Sequence, residues 1–343
     1  MKKLTHLLLP LGITVGLCLN IAPASAASLQ VRKVIPDSAL SIDGFGSTSN
    51  SGNLQADIPA DSTIKGAYLY AASVWGNSVF GVTFNGNTLS RSSATTLTPD
   101  HNPATTVVWD VTDIIASSFT GGLQNFSIVE DGNNDGEVLV VAYSNPSTQG
   151  FTSIILDGEL ASQGDTVQFD FEPYTRGDFL VSLDISYIRQ PSAQATEIDV
   201  TTNSTTNRRL TSSAGGQDDG EMDPGALITA GGIDDNPANP GPFDSPEDGP
   251  RIDDEYYNLA LGNSANSAPF ISPGDTFLRL KMVTQPMSPI KDDNVFGMFI
   301  TSGFKVSPAS NPQSVPEPSM TLGIFGIGAI GALLSRRGKN NRK

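Results

Sequence analysis

The sequence has very little cysteine, histidine or positive charge. Its 343 residues include one Cys, two His, and 20 Lys and Arg against 36 Asp and Glu, for a net charge of −16. This balance argues against a nucleic-acid-binding protein, because such proteins displace counterions with a basic face. The single Cys excludes a disulfide framework and a Cys-rich zinc or iron–sulfur site.

Motifs for catalysis are also missing. His101 is the only histidine outside the N-terminal segment, and it lies in a turn-like loop. The sequence has no G-x-S-x-G elbow, no phosphate-binding G-x-x-x-x-G-K-[ST] loop and no H-E-x-x-H zinc motif. We therefore predict a protein that is not an enzyme. A carbohydrate-active enzyme remains a less favoured alternative, because a glycosidase needs only two well-placed carboxylates.

The first 26 residues have the three parts of a secretory signal peptide. Met1–Lys3 is positively charged, Leu7–Leu19 is apolar, and Ala24 and Ala26 form a small-residue cleavage site. The apolar run is too short to span a bilayer, which takes about 20 residues. Cleavage after Ala26 removes Cys18, so the exported chain would contain no thiol.

The C-terminus has three further parts in a fixed order. A Pro-rich linker over 308–318 contains Pro316, Glu317 and Pro318, and an apolar run follows. Residues 319–343 are predicted to form a single transmembrane helix followed by a basic tail with Arg336 and Arg337, and the basic residues hold this end in the cytoplasm. The apolar run has only about 15 residues, or about 22 Å of helix, which suits a transient tether.

This order of Pro-Glu-Pro, short Gly-rich apolar helix and Arg-rich tail resembles the PEP-CTERM protein-sorting signal. The resemblance implies recognition by an exosortase, a transpeptidase-like membrane enzyme, after export by the secretion machinery. The chain would be tethered in the membrane by its C-terminal helix before processing. It would then be released to the cell surface or the extracellular matrix.

Between the two ends, hydrophobic residues alternate with polar ones. In Phe179–Tyr187 the odd-numbered residues are apolar, whereas Ser182, Asp184 and Ser186 point the other way, which predicts a half-buried strand. Shorter runs predict twelve further strand segments: Leu29–Ile35, Thr63–Ala71, Val79–Leu89, Thr105–Val111, Gln124–Val129, Val138–Tyr143, Thr152–Leu156, Thr166–Phe171, Glu197–Thr201, Ala226–Thr229, Thr276–Val283 and Val295–Ile300.

Short strands separated by Gly, Pro and Asn turns predict an all-β fold, a β-sandwich of jelly-roll type. Asn85-Gly86-Asn87 predicts a hairpin turn, and only Val111–Ser118 has a helical pattern. The body is either one domain or two, 27–190 and 191–307, with the best boundary near Gln190. Three segments, Ile64–Tyr70, Trp109–Ile114 and Val138–Tyr143, resemble the β-rich ectodomains of bacterial surface proteins, which supports fold and location only.

The clearest local motif is Asp131-Gly132-Asn133-Asn134-Asp135-Gly136-Glu137. It matches the first half of a calcium loop, in which alternate oxygen side chains surround the ion. The bidentate Glu of a complete EF-hand is replaced by Ala142. Two interpretations stay open: a partial Ca²⁺ site with Asp131, Asn133, Asp135 and Glu137 as ligands, completed by a residue such as Glu130, or a plain polar turn.

A second acidic feature is the segment Asp218–Glu255. It holds twelve carboxylates and one basic residue, Arg251, and is interpreted either as a solvated loop or as a loop folded by Ca²⁺. Seven of the 20 basic residues and one acid lie in the two terminal segments, which leaves 13 basic against 35 acidic residues in the body. The sequence thus favours a secreted structural or adhesive protein. A lectin-like module that binds exopolysaccharide through Trp and Tyr side chains is the alternative.

Overall fold

The computed structural model describes residues 29–309 apart from 48, 74–77, 98–104, 133, 162–163, 189–193, 215–226, 236, 238, 240–254 and 287–293. The predicted signal peptide, transmembrane helix and sorting signal therefore lie outside the described residues. So do Asn133, His101 and most of the acidic segment.

Alternating apolar residues produce twenty β-strands in this part of the chain. They are β1 (Gln30–Pro36), β2 (Ala39–Gly46), β3 (Ser51–Ile58), β4 (Thr63–Ser73), β5 (Gly81–Phe84), β6 (Asn87–Ser90), β7 (Thr95–Thr96), β8 (Thr106–Asp110), β9 (Gly122–Glu130), β10 (Asn134–Ser144), β11 (Thr152–Asp157), β12 (Asp165–Phe171), β13 (Phe179–Ile188), β14 (Gln194–Thr202), β15 (Arg208–Ala214), β16 (Leu227–Ala230), β17 (Tyr256–Asn258), β18 (Phe277–Pro286), β19 (Asn294–Ser302) and β20 (Val306–Pro308).

The strands pair antiparallel in four sheets. Sheet I has the order β3-β9-β5-β6, and sheet II has the order β2-β10-β4-β8-β7. Sheet III has the order β1-β11-β19-β13-β16, with β17 also paired to β13, and sheet IV has the order β15-β14-β18-β12-β20. Sheets III and IV both combine strands from before and after residue 190, and these strands belong to one compact unit, Ala27–Gln313.

Three apolar clusters show that the sheets stack in the order I, II, III, IV. Leu54 and Ile128 of sheet I pack with Leu139 of sheet II. On the opposite face of sheet II, Tyr70 and Val140 pack with Phe299 of sheet III. The third cluster fills the space between sheets III and IV. Each apolar side chain buried in these layers contributes about 1.5–3 kcal/mol relative to exposure.

The two inner sheets are buried on both faces, which corrects one sequence prediction. The strand β13 was expected to be half-buried, with its polar face exposed. Instead Ser182, Asp184 and Ser186 are no more than 1% exposed. The reason is that sheet II covers this face of sheet III, and alternation within one strand carries no information about a second layer.

Sheets I and II are also joined by side chains along one edge. Ser41 Oγ of β2 accepts a hydrogen bond from the backbone N–H of Asp57 in β3, at 2.9 Å. Asp43 Oδ2 accepts one from the N–H of Gln55, at 2.5 Å. These side chains satisfy outward-facing donors of an edge strand, which would otherwise be open to pairing with another chain.

The all-β prediction is confirmed, and the thirteen predicted strand segments all coincide with strands. The predicted turn joins β5 to β6 with positive φ at Asn85 (46°) and Gly86 (78°), as a type I′ turn requires. The predicted helix is α1 (Thr112–Ser118), whose Ile115 is fully buried. Six strands were missed. The strands β2, β3 and β15 have patterns interrupted by Gly, Asp, Ser and Arg, and β7, β17 and β20 have only two or three residues each. The jelly-roll connectivity stays a prediction.

Candidate functional site

The predicted calcium motif lies where β9 turns into β10. Asp131 is exposed at the turn, and Asn133 lies outside the described residues. Asp135 and Glu137 fall within β10 and are fully buried. Of the four proposed ligands, one described residue is thus exposed and two are buried. The motif does not form a helical calcium loop here, because the residues from Asn134 onward are extended and pair with β4 and β2.

The same turn brings Glu130 to Glu137. Glu130 follows Phe126 and Ile128 on the inward face of β9, and Glu137 precedes Leu139 on the inward face of β10. The two carboxyl groups consequently lie close together at the end of the core between sheets I and II, where the charge of Glu130 acts on Glu137. Glu130 is 6% exposed and Glu137 0%.

Asn134 connects the two carboxyl groups. Its Nδ2 donates to Glu137 Oε1 at 2.7 Å, and its backbone N–H donates to Glu130 Oε2 at 3.3 Å. The hydroxyl of Ser47 lies near Glu130 and lowers the pKa of that carboxyl group. Together Glu130, Glu137, Asn134 and Ser47 form what we call the Glu130–Glu137 cluster.

The electrostatics of this cluster favour retention of a proton. Burial raises the pKa of Glu137 well above its ordinary value, and the negative charge of Glu130 raises it further. Burial also raises the pKa of Glu130, although hydrogen bonds from Ser47 and Asn134 partly offset this effect. Among the described residues, the Lys and Arg ion pairs involve other acids.

Three oxygens of the cluster are buried without a hydrogen-bond donor among the described residues: Glu130 Oε1, Glu137 Oε2 and Asn134 Oδ1. Buried acceptors of this kind are rare and call for an explanation such as a water or an ion. In the part of the chain that the structure describes, no three Asp, Glu, His or Cys side chains are grouped to hold a metal. A site here would therefore combine two carboxylates with an amide oxygen.

A second candidate site is a cavity of about 140 Å³ at the edge between sheets II and III. It is lined by residues of β2, β3, β13, β17 and β19 and of the loop after β16: Leu40, Ser41, Ile42, Asp57, Leu180, Gly232, Ile233, Tyr256, Phe299 and Thr301. We call it the Tyr256 pocket. Its volume is below the range of about 300–1,000 Å³ that is typical of ligand pockets, so it admits only a small group.

Carboxylates surround this pocket. Burial raises the pKa of Tyr256 to about 12, and the negative charges of Asp235 and Asp178 contribute. Burial also raises the pKa of the half-buried Tyr143, and the negative charge of Asp57 raises it further. The pocket therefore offers hydrogen-bond acceptors to a ligand with hydroxyl or ammonium donors.

The other aromatic side chains proposed for sugar stacking lie in the core wherever they are described. Tyr68, Tyr70, Tyr257 and Trp109 are at most 6% exposed. Trp109 Nε1 donates to the carbonyl of Ser90 at 3.0 Å, which satisfies its only donor. Tyr256, by contrast, lines the cavity described above, and Trp75 lies outside the described residues.

The acidic segment is described only in part, at Asp234, Asp235 and Glu255. Asp235 accepts a hydrogen bond from the backbone N–H of Gly232, which shapes the loop beside the Tyr256 pocket. Glu255 is fully buried next to β17.

Comparison with known families assigns the body of the chain. A family model described as "Protein of unknown function (DUF3344)" matches residues 36–222, more than half of the sequence. The chain belongs to the DUF3344 family. No curated protein and no solved structure gives a significant match.

The DUF3344 match covers the Glu130–Glu137 cluster but stops before β16. Five strands after residue 222 complete sheets III and IV in the described structure, so the folded unit extends beyond the matched segment. The Tyr256 pocket draws Gly232, Ile233, Tyr256, Phe299 and Thr301 from outside the match.

A second model, the PEP-CTERM protein-sorting motif, matches residues 314–337, which confirms the resemblance stated above. The match contains Pro316, Glu317, Pro318, Arg336 and Arg337. The motif implies a protein that is exported, processed by an exosortase and sorted to the surface. In the described part of the DUF3344 chain, no helix has the length and apolar character needed to cross a bilayer.

Sequence reasoning missed Asn134 as part of the cluster and missed the Tyr256 pocket altogether. A signal for the cluster was present, because Phe126, Ile128 and Glu130 alternate on one face of β9. No comparable signal marks the pocket, since its walls come from five strands and a loop that are far apart in sequence.

Proposed function

We propose that the protein is exported, cleaved at its C-terminal sorting motif and displayed at the cell surface or in the extracellular matrix, where its β body has a structural or adhesive role without catalysis. The observation that carries the proposal is the PEP-CTERM motif at residues 314–337, downstream of a body with four stacked sheets. Sheets buried on both faces make the body a rigid unit, which suits a surface component.

The sorting step can be tested in a bacterium that carries an exosortase. The full chain with a tag in an exposed loop is compared with the triple variant Pro316→Ala, Glu317→Ala, Pro318→Ala. We expect the wild-type chain to lose its C-terminal segment and to become accessible to protease added outside the cells. The variant should remain at full length in the membrane fraction. Equal processing and display of both chains would contradict the proposal.

A second function is favoured by the Tyr256 pocket. We propose that it binds one sugar unit of an exopolysaccharide. Tyr256 would provide an aromatic surface, while the carboxylate of Asp57 would accept hydrogen bonds from hydroxyl groups. The half-buried position of Tyr256 supports this role, because the other described aromatic candidates are in the core.

Binding can be measured with a glycan array and by calorimetry on the hits. Tyr256→Ala and Asp57→Asn should each weaken binding at least about tenfold, corresponding to one or two lost contacts. Asp113→Asn, a change at an exposed acid on α1, is the matched control and should bind like wild type. Retention of full affinity by both pocket variants would place any sugar elsewhere.

A further inference from the structure

We infer that Glu130, Glu137 and Asn134 bind a Ca²⁺ ion at the end of the core between sheets I and II. The sequence motif pointed to Glu137 as a ligand and to Glu130 as a residue that could complete the shell; Asn134 is added by the structure. The inference concerns a structural cation and is independent of the sugar-binding proposal.

The first support is the set of oxygens. Glu130 Oε1, Glu137 Oε2 and Asn134 Oδ1 are buried without a donor among the described residues. Asn134 belongs to the cluster through its own amide, since its Nδ2 donates to Glu137 Oε1 at 2.7 Å. That bond places the amide group of Asn134 next to the carboxyl group of Glu137.

The second support is charge. Two carboxyl groups in contact repel each other when both are ionised, and Asp135 adds a further acid close to Glu137. No Lys or Arg of the described residues forms an ion pair with Glu130 or Glu137. A divalent cation would neutralise the pair and would accept the lone pairs that lack donors.

The third support is the chemistry of the ligands. All available atoms are oxygens, from carboxylate, amide and hydroxyl groups, which is the set that hard cations prefer. Ca²⁺ fits better than Mg²⁺ because it tolerates irregular geometry, whereas Mg²⁺ demands a near-octahedral shell and retains waters. The exposed turn at Asp131 and Gly132 lies directly beside the cluster and gives an approach from solvent.

A cation at this point would join three pieces of chain. Glu130 ends β9 of sheet I, and Glu137 lies in β10 of sheet II. Ser47 lies in the connection between β2 and β3. The backbone N–H of Ser47 donates to the carbonyl of Asp135 at 3.2 Å, which holds this connection against β10. Binding would therefore stabilise one end of the sandwich formed by sheets I and II.

The test uses the full chain purified after export and stripped of metal with a chelator. Millimolar Ca²⁺ should raise the melting temperature by at least about 3 °C, and Mg²⁺ should raise it less. Glu130→Gln and Glu137→Gln should abolish the shift, whereas Asp113→Asn, at an exposed acid of α1, should retain it. Absence of a shift in the wild-type chain would overturn the inference.

Asp131→Asn separates this site from a loop-type site. We expect the variant to keep the calcium shift; loss of the shift in Asp131→Asn with retention in Glu130→Gln would place the ion in the turn and refute the inference. Because the glutamine variants can fail to fold, hydrogen exchange on the wild-type chain gives an independent readout. Ca²⁺ should slow exchange in Gly122–Ser144, and unchanged exchange there would count against the site.

Discussion

Asp184 and Asp157 lie on either side of Gly297 in sheet III, on the face that packs against sheet II. Asp157 has two partners: it pairs with Arg32, and Tyr70 donates its hydroxyl to Asp157 Oδ2 at 2.9 Å. Asp184 is fully buried, and neither of its oxygens has a hydrogen-bond partner among the described residues. Two acids in one layer therefore have opposite environments.

The first prediction concerns Asp184. Burial raises its pKa well above the ordinary value, so its contribution to folding stability is greatest in acid and is lost as the pH rises. Asp184→Asn removes the ionisable group with little change in volume. At pH 8 we expect the variant to unfold at a higher urea concentration than wild type, with a free energy of unfolding that is greater by about 1–2 kcal/mol. At pH 4 the free energies of the two proteins should differ little. A lower midpoint at pH 8 would contradict this prediction.

The second prediction concerns Asp43, whose pKa is raised to about 7 by burial and by the charge of Asp234, against a hydrogen bond from Gln55 that lowers it. The folded form binds the proton more tightly than the unfolded form, so stability falls between about pH 4 and pH 7 and changes little above. Asp43→Asn should flatten this part of the profile and stabilise the protein at pH 8 by about 2 kcal/mol. Thermal unfolding at several pH values from 4 to 8 measures the pH dependence of stability. Parallel curves for wild type and Asp43→Asn would refute the prediction.

The third prediction concerns the partners of Asp157. Arg32→Ala leaves a buried carboxylate with only the hydroxyl of Tyr70, which should cost about 2–3 kcal/mol. Tyr70→Phe leaves the ion pair in place and should cost about 1–2 kcal/mol. Equilibrium urea unfolding compares them with Lys33→Ala, a change at the exposed neighbour, which should stay within about 0.5 kcal/mol of wild type. Equal effects for Arg32→Ala and Lys33→Ala would show that the ion pair contributes nothing.

The fourth prediction concerns the close approach of Gly232 to β2. A methyl group at this position would lie 2.1 Å from the carbonyl oxygen of Ile42, a backbone atom that cannot rotate away. The next N–H, of Ile233, donates to that same oxygen at 2.9 Å. Gly232→Ala should therefore destabilise the protein by about 2 kcal/mol or more and weaken any ligand binding in the Tyr256 pocket. An unchanged urea midpoint would mean that the loop moves without cost.

Much of the fold was predictable because it rests on local patterns. The alternation in Phe179–Ile185 identified β13 and its apolar face, and the short helix after Val111 was also identified. The strand β2 could not be identified in this way. Its sequence, ALSIDGFG, contains Asp43 and two glycines. It is a strand because its backbone pairs with β10 and the side chain of Asp43 accepts a hydrogen bond from the backbone of β3.

The candidate cluster was predictable only in part. The motif drew attention to the correct turn, but it suggested that alternate residues around Asp131 share one shell. The extended conformation of β10 instead points Glu137 into the core, where it meets Glu130 from the neighbouring sheet. A contact between residues on two strands depends on the stacking of sheets I and II.

Composition and short motifs can be recognised without knowledge of contacts between distant residues. The sequence by itself therefore determined the exclusion of disulfide and nucleic-acid-binding proteins, the β-strands with a period of two, and the sorting motif. The stacking of four sheets was decided only by the tertiary structure. It buried Asp184 on a face that looks solvent-facing in one strand, and it brought Glu130 to Glu137 and Tyr256 to Asp57. The layer that covers a polar side chain decides whether that side chain is solvated, protonated or in contact with another segment. That layer comes from residues far away in the sequence.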